Sequence, residues 1–152
     1  MSKKVILVTR ASRSAGSDGV GSAEYWAKGL GQHVDSYFGE EFEKEVYPLK
    51  SRQYQLGKKG MKDIVDKYGT DIIVAFDWVS RLSNTFDDFD YLYRLVKKGV
   101  VFYFDYGSSA FVWDKKQGLD TFIVFLKQAE TDSQARSAMV KDSMKEILMG
   151  RK

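Results

Sequence analysis

Apolar positions alternate between two rhythms along this chain. Residues 4–9 hold the short β-branched run Val5, Ile6, Leu7 and Val8, the pattern of a buried strand. Residues 11–22 turn polar and small, with Ser12, Ser14, Ser17 and Ser22 among Gly16, Gly19 and Gly21. That composition predicts a flexible loop, the kind of segment that carries function. Residues 23–30 predict a helix, with Tyr25, Trp26 and Leu30 near one face, and residues 44–49 a second strand. Across residues 55–68, Met61, Ile64, Val65 and Tyr68 recur at i, i+3, i+4 and i+7, one face of a helix. Gly69 follows as its stop.

Residues 71–78 contain Ile72-Ile73-Val74-Ala75-Phe76, a continuous apolar run typical of a parallel strand buried on both faces. Residues 85–98 predict a helix with Thr85 as N-cap, Asp87 and Asp88 in its first turn, and Lys97, Lys98 and Gly99 at its end. Residues 100–106 predict another buried strand. Residues 107–118 predict a loop carrying Phe111, Val112 and Trp113, either a contact surface or core. From Leu119 to Met149 there is no Pro or Gly, so one long helix is expected, apolar at first and then sparse, with Met139, Val140, Met144, Ile147 and Leu148 at spacings of three and four.

Strands alternating with helices predict an α/β fold: a single domain with a mostly parallel central sheet flanked by helices. Residues 1–118 form the expected core and residues 119–152 the long C-terminal helix. At 1.5 Å per residue that helix runs to about 45 Å, longer than a domain of this size is wide. Its far half calls for a partner, either a second copy or another macromolecule.

Composition narrows the chemistry. The 152 residues include no Cys and one His, His33, which excludes a thiol nucleophile and a Cys- or His-rich metal site. No metal and no cofactor are expected. No apolar run is long enough to cross a membrane, and the absence of Cys suits a cytoplasmic protein. Lys and Arg number 24 against 21 Asp and Glu, a net +3 that by itself names no partner. The basic residues cluster, however, at Lys3, Lys4, Arg10 and Arg13 and again from Lys50 to Lys67.

In open α/β sheets ligands bind beyond the carboxyl ends of the strands. There the chain places Arg10-Ala11-Ser12-Arg13-Ser14 and Ser80-Arg81-Leu82-Ser83-Asn84. A hydroxyl among arginines suits a phosphate: guanidinium forks bind its oxygens, and positive charge activates the hydroxyl. The other account is structural, with Arg10 and Arg81 pairing with Asp77, Asp105 or the acidic residues 40–45. His33, with no partner pattern around it, reads as a surface residue. Gly19-x-Gly21 is too short for a dinucleotide fingerprint.

Three stretches resemble the catalytic domain of serine recombinases, the resolvase/invertase family. Val8-Thr9-Arg10-Ala11-Ser12 resembles the opening strand that ends in the nucleophilic serine. Asp71 through Ser83, followed by a helix and Lys98-Gly99-Val100, resembles the family's Asp-Arg-Leu-Ser-Arg region. Phe125 through Glu130 resembles the start of the long dimerisation helix. The resemblance implies cleavage and rejoining of DNA through a phosphoserine link, with release of a 3′ hydroxyl and no cofactor. Carried over by position, Ser12 is the nucleophile and Arg10 and Arg81 clamp the phosphate. Arg13, Arg52, Lys58, Lys59, Ser80 and Asn84 are the expected DNA contacts. The implied partners are DNA and a homo-oligomer formed through residues 119–149. Three positions depart from the family: Ser80 replaces an acid, Asn84 an arginine and Thr131 an arginine. Those departures favour a second reading, a degenerate DNA-binding or recombinase-modulating accessory. A third is a flavodoxin-like domain holding a phosphorylated ligand at the same strand ends.

Overall fold

The computed structural model describes residues 3–10, 19–49, 55–105 and 109–148. Five strands make one sheet in the order β2-β1-β3-β4-β5. They are β1 (Lys4–Arg10), β2 (Lys44–Leu49), β3 (Ile72–Phe76), β4 (Val101–Asp105) and β5 (Ala110–Trp113). The first four are parallel, and β5 runs antiparallel to β4. The helices are α1 (Gly19–Phe38), α2 (Gly57–Tyr68), the single turn α3 (Val79–Leu82), α4 (Phe89–Lys98) and α5 (Leu119–Leu148). The molecule is thus the expected α/β domain with a mostly parallel sheet and a long final helix.

Side chains of a strand alternate between faces, and the two faces are covered differently. Ile6, Val8, Val74, Phe76, Phe102 and Phe104 pack under α2, α4 and the first half of α5. Val5, Leu7, Ile73, Ala75, Tyr103 and Val112 pack under α1 alone. The register makes the second set a continuous row, Val46, Leu7, Ala75, Tyr103 and Val112, across all five strands. Gly31 lets α1 approach that row closely, since a Cβ there would lie 3.3 Å from Leu7 Cδ1 and 2.9 Å from Lys44 Cδ.

Two expectations are corrected. Residues 107–118 are not simply a loop: Ala110–Trp113 is an edge strand, and Val112 and Trp113 are buried in the core. Antiparallel pairing to β4 supplies the backbone partners that turn so short a run into a strand. The helix expected over residues 23–30 instead spans Gly19–Phe38. Its glycines cost helix propensity, but Ala27, Leu30 and Val34 bury one stripe against the sheet, and packing outweighs propensity. Gly118, at φ +90, makes the turn into α5; a Cβ there would meet the Val112 carbonyl oxygen at 2.0 Å.

α5 divides into two parts. Phe122, Leu126 and Ala129 are buried, whereas Met139 and Val140 are 70% and 60% exposed. Met144, Ile147 and Leu148 lie on its last turns, outside the described side chains. Among the described residues no helix is long and apolar enough to cross a membrane.

Candidate functional site

The chain leaves β1 toward β2 on one side, and β3 adds on the other side. The strand order therefore reverses between β1 and β3, where such sheets bind ligands beyond their carboxyl ends. Arg10 is the last residue of β1 and is half-buried. By alternation it belongs to the face covered by α2, α4 and α5. β3 ends at Phe76, and the chain turns through Asp77 and Trp78 into α3, which carries Ser80 and Arg81. Arg10 and the Arg81 turn thus stand at the same edge, on neighbouring strands.

Arg81 is held from several directions. Its Nε donates to Asp77 Oδ1 at 3.2 Å and its Nη2 to Asp77 Oδ2 at 3.4 Å. Its carbonyl accepts from the Leu56 amide at 2.7 Å, which docks the start of α2 against α3. A guanidinium so anchored is pre-oriented. The structural account weighed above therefore holds in part: Arg81 pairs with Asp77.

The turn after α3 is stitched to α5. Asn84 Nδ2 donates to Ser133 Oγ at 3.2 Å, and the Phe86 amide donates to Glu130 Oε2 at 2.8 Å. Ser83, fully buried, donates through Oγ to Asp88 Oδ2 at 2.8 Å, and the Asp87 amide donates to Thr85 Oγ1 at 3.1 Å. Thr85 thus caps, as expected, though it caps a 3-10 turn, Phe86–Asp88, that leads into α4.

The remaining expected contacts divide. Ser80 is half-buried on α3 beside Arg81. Lys58 and Lys59 are exposed on the first turn of α2, and Lys58 Nζ sits 5.5 Å over the Tyr91 ring of α4. Ser12, Arg13 and Arg52 lie outside the described residues.

Sequence reasoning missed one pair. His33 was expected on the surface without a partner; it sits on α1, and its Nδ1 bonds to Asp105 Oδ2 at the end of β4. On the same face of β4, the Tyr103 hydroxyl has its pKa pushed up by burial first, then by the Asp105 carboxylate and Tyr37. Asp105 is separated from His33 by 72 positions, and the contact exists only because α1 crosses the sheet toward β4.

Among the described residues, no group of three or more His, Asp or Glu side chains is gathered to hold a metal ion. An open groove of about 410 Å³ between α1 and β2 is lined by Lys28, Gln32, Asp35, Glu41, Lys44 and Val46. Two of its charges, Lys44 and Asp35, pair with each other at 2.7 Å. Enclosed apolar chambers suit small ligands; this groove is neither. No protein-family model and no curated protein matches the chain.

Proposed function

We propose that this domain cleaves and rejoins DNA strands as a serine-recombinase-type transesterase, with Ser12 as nucleophile and Arg10 and Arg81 on the scissile phosphate. The observation that supports the reading is the position of Arg10 at the end of β1 and of Arg81 on the turn after β3, the two strands between which the strand order reverses. Two guanidiniums there suit a phosphodiester, whose charge rises as an oxygen attacks phosphorus. Arg13, Arg52, Lys58, Lys59, Ser80 and Asn84 are the further DNA contacts of this reading. Its homo-oligomer forms through residues 119–149, supported by the exposed Met139 and Val140.

One contact favours the degenerate accessory instead. Asn84, at a position where the family carries an arginine, spends its amide on Ser133 of α5.

Covalent trapping separates the two. Protein mixed with supercoiled DNA from its own source and quenched with detergent yields protein-linked DNA ends if the transesterase reading holds. Those adducts vanish in Ser12→Ala. Salt-sensitive DNA binding without adducts, unchanged in Ser12→Ala, selects the accessory.

A further inference from the structure

β2 is an edge strand: among the described residues it pairs with β1 alone. The Val5 amide donates to the Glu43 carbonyl at 2.9 Å, so Glu43, Glu45 and Tyr47 turn their backbone groups toward β1. By alternation Lys44, Val46 and Pro48 turn theirs to the open edge, and their side chains stand on the α1 face with Leu7. Pro48 lacks only a donor that would point outward. Val46 is 40% exposed and lines the groove beside α1. An exposed apolar side chain thus stands next to amide and carbonyl groups that a further strand could pair with. The two ends of the groove differ in charge. Asp35 pairs with Lys44, so the end of α1 lies by the start of β2, and Glu41 stands just before that strand. Lys28, about 10 Å back along α1, lies toward the Pro48 end.

We propose that β2 is an interface with a second copy of this chain: the open edges of two copies pair antiparallel about a two-fold axis at Val46 and join the two sheets into one. In that register each Val46 exchanges both backbone bonds with its counterpart, and each Lys44 amide donates to the Pro48 carbonyl of the other copy. Glu45 stands opposite Tyr47. No like charges are opposed, whereas a register centred on Lys44 or on Glu45 would set them against each other. The two valines meet between the two α1 helices and leave water together. The antiparallel arrangement also brings the Lys28 end of each groove to the Glu41 end of the other. The groove is therefore charged in the way that complements itself, which is what selects a second copy as its occupant. An isologous pairing of this kind occupies the edge in both copies and closes the assembly. The surface is separate from α5, and it does not depend on the DNA reading.

The chain has no Cys, so one introduced thiol reports one position. Antiparallel partners that exchange both bonds have Cα atoms about 5.5 Å apart, inside the span of a disulfide. Under mild oxidation Val46→Cys should therefore cross-link about tenfold or more faster than Lys98→Cys, whose thiol on the last turn of α4 meets another copy only by collision. Adding Lys28→Glu or Glu41→Lys to Val46→Cys should slow cross-linking about tenfold, because each sets like charges across the interface, and adding both should restore it. Lys28 and Glu41 are exposed, and the restoration shows that the single variants fold. Sedimentation of the protein without a thiol should show a dimer that survives Met139→Glu on α5 and weakens in Lys28→Glu. Val46→Cys that cross-links no faster than Lys98→Cys overturns the proposal. So does a dimer that is lost in Met139→Glu and indifferent to Lys28→Glu, which assigns the contact to α5. A monomer whose β2 amides respond instead to an extended peptide overturns it as well. None of these readouts involves DNA adducts, so the transesterase reading stands or falls separately.

Discussion

The two faces of the sheet are built from alternate residues of the same strands, yet they are packed by different means. Under α2, α4 and α5, large rings stack: Trp113 on Phe122 at 4.2 Å, Phe102 on Trp113 at 5.5 Å and Phe104 on Phe122 at 5.6 Å. Such pairs add to area burial, and the whole cluster spans strands and four helices, the single turn α3 among them. Under α1 the central contacts are small and aliphatic, Ala27, Leu30 and Val34 on Val5, Leu7, Ile73 and Ala75, and rings meet only at the end of the helix, where Tyr37 and Phe38 pack edge-on or tilted against Tyr103 and Phe42. One helix about 10 Å wide cannot cover five strands spaced about 4.8 Å apart, so its flank stays open. The thick face concentrates stability, and the thin face leaves room for a half-open imidazole over a buried carboxylate.

The largest test of this contrast is truncation on each face. Phe122→Ala should cost about 3–5 kcal/mol in urea unfolding. Leu30→Ala should cost about 2 kcal/mol, the low end for its type, because the open flank can relax into the space. Equal losses would break the comparison.

A smaller effect is expected at the margin of the thick face. Glu45 accepts from the Tyr68 hydroxyl and from Lys4 Nζ, the latter at 2.9 Å. Tyr68 first and Lys4 next hold its carboxyl below the usual carboxylate range. A depressed folded value means the contribution is present above the unfolded value, about 4.3, and is lost as pH falls through the folded one. Glu45→Gln should therefore lose less urea stability than wild type between pH 5 and 3. Parallel acid limbs would show that the contact contributes nothing.

The smallest effect belongs to the outer surface. Arg94 pairs with Asp90 at 2.8 Å, and both side chains are largely exposed. Arg94→Ala should change the thermal midpoint by no more than about 0.5 kcal/mol allows, and raising the salt concentration should erase the difference.

How much of this could be read from the chain depends on how local each signal is. The continuous apolar runs of β1, β3 and β4, the helical spacing of α2 and the end signals of α4 are local; the first four elements lie where they were expected, and α4 ends as expected but starts at Phe89, after a 3-10 turn. β5 was not legible because its four residues become a strand only by pairing with β4, and nothing in Ala110-Phe111-Val112-Trp113 announces that partner. α1 was read short because Gly29 and Gly31 argue against a helix, whereas the sheet beneath it argues for one. Arg10 and Arg81 were legible from strand ends alone, since the carboxyl edge of a parallel sheet is a place that topology dictates. The His33–Asp105 pair was not, because no spacing rule connects residues of α1 and β4. The Asn84–Ser133 contact escaped for the same reason.

α5 is also a lever. Its burial ends near Ala129, and the helix continues to Leu148. That free arm is about 28 Å long at the helical rise per residue. A tilt of about 10° around the anchored end would sweep its tip through about 5 Å, one helical turn. Glu130 and Ser133 sit at the fulcrum, bonded to the segment that follows Arg81. A partner that grips the tip therefore works on that segment with mechanical advantage, and small forces at the far end become strain beside the guanidinium.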